Sequence, residues 1–251
     1  MSASLDIPSL YDLIVYDKVD SVVEEAKRLA ARGAEEGTLI WAKEQTAASG
    51  RFGRPWISLP GNLHCALILR IEEPAAVVAQ LSFVAAVSLA AAISNLSLPL
   101  IELRYRWPND VLLYDAKVAG ISLTAPSAQE ATYEWLVLGT NVNIESAPEN
   151  LEPCVTSLRG EGASETKPDE LLEVFTRHFL SWINRWAEEG FAALHKAWSI
   201  RPHGIGETIT VRLAAETLEG RFAELDEEGA LVMEMATGEY RRITLREFFA
   251  V

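Results

Sequence analysis

Cysteine is nearly absent: Cys65 and Cys154 are the only two in 251 residues, too few for a disulfide framework and without metal-ligand spacing. A reducing, cytoplasmic setting is the expectation. Basic residues are scarce as well, 22 against 36 acidic ones, for a net charge of -14. Neutralising a phosphate backbone needs clustered Lys and Arg, so no nucleic acid is expected as a partner. No charged-then-apolar leader opens the chain, which argues against secretion. Uninterrupted apolar runs are missing too. The longest apolar stretch, Ala75 to Leu96, has the length to cross a bilayer, but Gln80, Ser82, Ser88, Ser94 and Asn95 interrupt it. It reads as an Ala-rich helix packed on a sheet, and no membrane partner is expected.

What is present suffices for a core. At 251 residues and 49% hydrophobic, one large and one small domain are expected. Asp20 or Ser21 caps a helix whose apolar face is Val22, Val23, Ala26, Leu29 and Ala30, ending near Gly33. Strand-like runs lie at 39–44, 63–71, 103–107, 111–114, 118–123, 133–138 and 142–144, and an amphipathic helix at 169–189. From about Gly204 the pattern changes to short alternating strands at 208–213, 216–225, 230–235 and 240–244. Turn residues separate them, as in a small β-barrel. The expected division is 1–203 and 204–251.

The densest chemistry lies in Arg106-Trp107-Pro108-Asn109-Asp110 and the nearby Lys117. Pro108 fixes its own φ and pushes Trp107 toward extended geometry. Asn109 and Asp110 suit a turn that displays polar side chains at a strand end. Lys117 enters the apolar run Val118 to Leu123. An ammonium there is desolvated and wants an anionic partner, from protein or ligand, unless it snorkels back to water. A second cluster, Gln45 to Trp56, gathers Gly50, Arg51, Gly53 and Arg54 in an acidic chain. Guanidinium forks and close-approaching glycine backbone suit phosphates or carboxylates, although a surface loop that keeps Arg for solubility has the same composition. His64 alone reads as a packed strand histidine, and Cys65 as a small core residue.

Together with Gly61-Asn62-Leu63 and Gly139-Thr140-Asn141-Val142-Asn143, these segments resemble the biotin protein ligase family in motif type, order and spacing. The resemblance runs from about Leu13 to Val251. In that family the loop reads Gly-Arg-Gly-Arg-x-Gly-Arg-x-Trp and the turn Lys-Trp-Pro-Asn-Asp, with a lysine seven residues after its Asp. Lys117 stands seven residues after Asp110. Departures gather on the side of the acid substrate: Ala48 and Ser49 replace the first Gly-Arg, and Ser21-Val22-Val23 stands for Ser-Thr-Asn. His64 takes a usual tyrosine position, and Asn141 one where Gly is common.

The resemblance implies an α+β fold: a class II-synthetase-like mixed or antiparallel sheet with flanking helices, plus a small C-terminal SH3-like β-barrel. It implies activation of biotin by ATP and magnesium to biotinyl-5'-AMP, then transfer to a lysine in the biotin carboxyl-carrier domain of a carboxylase. A carboxylate is a poor electrophile, so it must first become a mixed anhydride. The protein's task is then to hold two anions in line while cations offset their repulsion. Lys117 and Arg51 take the catalytic roles. Ser21, Gln45, Ser49, Gly50, His64 and Gly120 join them in lining the acid. Arg54, Trp56, Asn109, Asp110 and Asn143 serve ATP, with Asp110 also the magnesium ligand. Some members carry an N-terminal helix-turn-helix and act as repressors; the short lead before the first apolar run argues against one here. A homodimer through a sheet edge stays open. So do two alternatives: a lipoate or octanoate ligase or transferase of the same fold, and a catalytically degenerate binding protein.

Overall fold

In the computed structural model, which describes residues 5–96, 101–126, 134–151, 153–163 and 165–249, the chain begins with β1 (Asp12–Val19), α1 (Val22–Ala31) and β2 (Thr38–Gln45). A one-turn 3-10 segment at Arg51–Gly53 leads to β3 (Leu63–Leu69), α2 (Ala75–Val78) and α3 (Leu81–Leu96). Strands β4 (Leu103–Arg106), β5 (Asp110–Leu113), β6 (Ala116–Thr124) and β7 (Leu136–Val142) follow, then α4 (Pro168–Glu189) and α5 (Phe191–Trp198). The chain closes with β8 (Thr208–Arg212), β9 (Thr217–Leu225), β10 (Leu231–Glu234), β11 (Tyr240–Ile243) and α6 (Leu245–Phe249).

Strands β1 to β7 form one sheet in the order β1-β2-β3-β7-β6-β5-β4. Its first pair is parallel and the other neighbours are antiparallel, so the sheet is mixed and flanked by helices, an α+β arrangement. Strands β8 to β11 make a separate four-stranded antiparallel sheet.

Alternation along each strand sends side chains to opposite faces. On β3, Leu63, Cys65, Leu67 and Leu69 join the larger core with α3 and α4, while Ala66 and Ile68 join a smaller core under α1. Burial pushes the Cys65 thiol up to about 12. Helix α3 is buried nearly all round, from Leu81 to Ile93, which is why its sequence shows no amphipathic stripe. The stretch long enough for a bilayer is thus a core helix.

Three elements depart from expectation. The single helix expected from Ala75 to Leu96 is two, α2 and α3. Buried Gln80 lies between them, accepting from Trp186 Nε1 at 2.9 Å and donating to the Glu228 carbonyl at 3.3 Å. The two strands expected at 133–138 and 142–144 are the single strand β7; Tyr133 lies outside the described residues. Gly139 sits in its middle because a Cβ there would come within 2.5 Å of Ser122 Oγ and of Val23 Cγ2. Here the glycine leaves room for two side chains from neighbouring elements, at the cost of a weaker strand interior. Strand β1, half exposed at the sheet edge, was not anticipated, nor were α5 and α6.

Candidate active site

Register builds the site. Ala42 pairs with His64, His64 with Asn141, Asn141 with Gly120, Gly120 with Asp110, and Asp110 with Arg106. Directly opposed residues share a face, so these residues form one transverse row across six strands, on the face that α1 covers elsewhere. A register shift between Val111 and Leu112 offsets the β5–β6 hairpin, and Lys117 comes back over the row.

Lys117 Nζ lies 2.6 Å from Asp110 Oδ1, and Arg106 Nη2 donates to Asp110 Oδ2 at 2.7 Å. Side-chain exposures of 20% for Lys117 and 14% for Asp110 leave both largely out of water. The anionic partner Lys117 wanted is therefore the protein's own. Burial alone would raise the Asp110 carboxyl, but Lys117 and Arg106 outweigh it and hold the group below its ordinary range. Lys117 Nζ also lies 5.3 Å from the Trp56 ring centroid. Gly120 makes room for this pair: a Cβ there would be 2.9 Å from Lys117 Nζ and 3.1 Å from Trp56 Cζ3.

The loop between Ala48 and Trp56 is a small hairpin. Gly50 N–H donates to the Arg54 carbonyl at 2.7 Å, Trp56 N–H to the Ala48 carbonyl at 2.9 Å, and Ser49 bridges Pro55. At its tip Phe52 (φ 59°) and Gly53 (φ 69°) are both left-handed, which for Phe52 costs about 1–2 kcal/mol. Arg51 turns toward the C-terminal segment. Its Nη2 donates to the Arg212 carbonyl at 2.8 Å, and its Cζ lies 3.4 Å from the Phe248 ring centroid. Burial lowers its guanidinium to about 10, with the Asp110 carboxylate opposing and Arg212 adding to the shift.

On the acid side the side chains form a hydrogen-bonded chain. Val22 N–H donates to Gln45 Oε1 at 2.9 Å, which fixes the amide; Gln45 Nε2 then donates to Ser58 Oγ at 3.1 Å and to Asn141 Oδ1 at 2.9 Å. His64 Nδ1 is 2.9 Å from the same Asn141 oxygen, so Nδ1 carries the proton and Nε2 the lone pair. Burial keeps His64 below its ordinary pKa, more strongly than Asn141 and the Leu59 backbone raise it. Ser21 caps α1, accepting from Glu24 N–H at 3.4 Å.

Among the described residues, five buried side-chain polar atoms lack a partner in hydrogen-bonding geometry, and three belong here: Trp56 Nε1, His64 Nε2 and Asn143 Oδ1. Buried polar atoms are nearly always paired, so their concentration marks groups available to a ligand.

The structure thus brings Lys117, Asp110, Gly120 and Trp56 into contact, and links Gln45 and His64 into one chain that ends at α1, beside Ser21. Ser49, Gly50 and Arg54 are exposed on the loop. Asn109 is committed to the fold, with Nδ2 donating to the Ile121 carbonyl at 2.6 Å; Asn143 Nδ2 likewise donates to the Thr156 carbonyl at 3.1 Å. The described residues hold no group of three His, Cys, Asp or Glu able to cage a metal, and each Asp110 oxygen already has a cation. Site-lining residues not assigned from sequence are Arg106, Asn141, Arg212 and Phe248. The first two stood inside noted motifs, whereas nothing local signals the others.

Residues 56–200 match the model of the biotin/lipoate A/B protein ligase family. A biotin–[acetyl-CoA-carboxylase] ligase of Paracoccus denitrificans is 36% identical over 226 residues, covering 88% of this chain and 93% of that one. Among solved structures, a biotin protein ligase of Aquifex aeolicus in complex with biotin and ATP superposes with a TM-score of 0.78 at 25% identity, covering 94% of this chain and 97% of that one. A biotin protein ligase-like protein of unknown function from a Silicibacter species shares the fold, with a TM-score of 0.79 at 24% identity over 96% of this chain and 97% of its own. On the family match and the Paracoccus identity, the chain belongs to the biotin/lipoate A/B protein ligase family.

Proposed function

We propose that the protein is a cytoplasmic biotin–protein ligase, which activates biotin with ATP to biotinyl-5'-AMP and transfers it to a lysine of a biotin carboxyl-carrier domain. The observation that carries the reading is Lys117, ion-paired with the buried carboxylate of Asp110 beside the Trp56 ring, in a site that also holds unpartnered polar atoms of Trp56, His64 and Asn143. Two anions must meet for adenylation, and an ammonium already stripped of water meets them without the cost of desolvation at the moment of reaction.

In this reading Lys117 exchanges Asp110 for the biotin carboxylate and the α-phosphate, while Arg106 remains to hold Asp110 ionised. Arg51 closes over the adenylate and keeps water from it. Trp56 and Arg54 face the nucleotide, with Asn109, Asp110 and Asn143 around the phosphates. Ser21, Gln45, Ser49, Gly50, His64 and Gly120 line the acid. Magnesium is expected with ATP because the phosphates carry it and few protein carboxylates are needed. Asp110 is the residue that would hold it, and the ion would offset phosphate charge. Strands β8 to β11 are read as a small SH3-like barrel, a domain at 204–251 appended to a catalytic domain at 1–203. Their separate sheet and turn-rich sequence support that division.

ATP–pyrophosphate exchange with biotin, lipoate or octanoate tests the proposal. Exchange with biotin alone is expected. Exchange with another acid alone would change the substrate, a second reading prompted by the His64–Asn141 pair on the acid side. No exchange with any acid would leave a binding protein.

A further inference from the structure

The C-terminal helix touches both signature segments through one residue. Thr244 starts α6, its Oγ1 accepting from Glu247 N–H at 3.1 Å. Leu245 and Phe248, three apart on one face, are buried, Phe248 to 8% exposure. The Arg51 guanidinium lies over the Phe248 ring, and the Trp107 ring meets Phe248 at 4.9 Å between centroids and 72° between planes. Trp107 is in turn anchored by Nε1 donating to the Gly229 carbonyl at 2.9 Å. Strand β8 completes the grip: its Arg212 carbonyl accepts from Arg51, and the Arg212 guanidinium lies 4.8 Å from the Phe52 ring centroid.

We propose that Phe248 is a positioning residue of the adenylation site, whose ring holds the Arg51 guanidinium and thereby ties the loop tip to the Trp107 turn. The inference rests on the reading of Arg51 as the group that closes over the adenylate. A planar guanidinium favours an aromatic face over an aliphatic surface. Within the loop the Arg51 guanidinium lies 4.7 Å from the Phe52 ring centroid, and what ties this left-handed, exposed tip to the rest of the fold is the Phe248 ring in α6, at 3.4 Å, with the Arg212 carbonyl and guanidinium in β8. Phe248 therefore acts through Arg51 and needs no contact with substrate.

Phe248→Leu keeps an apolar side chain and removes the ring, whereas Phe248→Tyr keeps the ring. The first readout needs no ligand or activity: trypsin cleavage of the full chain at the Arg51–Phe52 bond, since Pro55 protects the bond after Arg54. Cleavage is expected to be about fivefold faster in Phe248→Leu and near wild type in Phe248→Tyr. The second readout is adenylate escape with biotin and ATP, seen as labelling of bystander lysines. Phe248→Leu should raise it in the wild-type background and add nothing in an Arg51→Ala background, because one pathway is broken only once. Equal cleavage in Phe248→Leu and wild type, matching losses in the Tyr variant, or full additivity with Arg51→Ala would each overturn the proposal. Should the Leu variant melt below the assay temperature, Phe248→Met replaces it under the same criteria. If wild type forms no adenylate, the assigned function fails, while the cleavage comparison still decides whether the ring holds the loop.

Discussion

The strand that carries Lys117 and the loop that carries Arg51 hold their cations in opposite ways. Lys117 is fixed within the sheet: its backbone pairs with Leu112 on one side and bridges Val155 on the other, and its charge meets a buried carboxylate shared with Arg106. Arg51 sits at a hairpin tip beside a left-handed Phe52 whose ring it overlies, and beyond the loop its partners include one carbonyl and the face of a ring contributed by α6. The first arrangement is organised before any ligand arrives. The second is held by contacts that break without unfolding a strand, as a segment that must admit substrate and then retain an intermediate requires.

Substitutions in the two regions should separate accordingly. Lys117→Ala has the largest expected effect, a loss of adenylate formation by about a hundredfold or more with the fold retained. Near-normal biotinyl-AMP yield from that variant would remove Lys117 from the mechanism. Asp110→Asn comes next, because it leaves Lys117 and Arg106 facing each other without their carboxylate. A stability loss of about 2 kcal/mol is expected from denaturant melts. The wild-type carboxylate is held below its ordinary 3.8, so its contribution is complete above that value and is lost as the pH falls toward the lowered native one. The variant should lack this component of acid sensitivity, and identical acid melts for the two proteins would show that the pair does not stabilise the fold.

Arg51→Gly should cost less than Asp110→Asn, about 1 kcal/mol for the lost Arg212 carbonyl and Phe248 contacts, yet let adenylate escape and label bystander lysines. If the variant loses as much stability as Asp110→Asn and labelling stays at the wild-type level, the contrast between fixed strand and exchangeable loop collapses. The smallest effect is expected at His64. Its pKa is lowered by burial, so the unfolded chain takes up the proton first. Stability is therefore full above the ordinary value of 6.5 and falls as the pH drops through it. His64→Gln should flatten that part of the pH–stability curve, and an unchanged slope would place the titrating group elsewhere.

Much of the fixed region was legible locally. The Trp107-Pro108 turn, the two short strands around it and the placement of Lys117 among apolar residues follow from patterns within about fifteen residues, and Lys117 does meet a carboxylate. The transverse row was not legible, because it depends on β3 lying beside β7 and β7 beside β6, pairings between segments far apart in sequence. Asn141 was visible only as a departure from a glycine; register makes it the neighbour of both His64 and Gln45. Gly139 falls between the two strands expected at 133–138 and 142–144, whereas in β7 it admits the Ser122 and Val23 side chains. Gln80 split a helix that composition ran together. Phe248 had no local signal at all, since its role comes from tertiary packing of the last helix on a loop near the start.

The most direct measurement is intact-mass analysis of an apo carrier domain after incubation with the protein, biotin and magnesium–ATP. The account predicts one added biotinyl group on a single lysine, lost when Lys117 is replaced by alanine. A carrier domain left unmodified by the folded wild-type protein, or modified equally well by the Lys117→Ala variant, would contradict it.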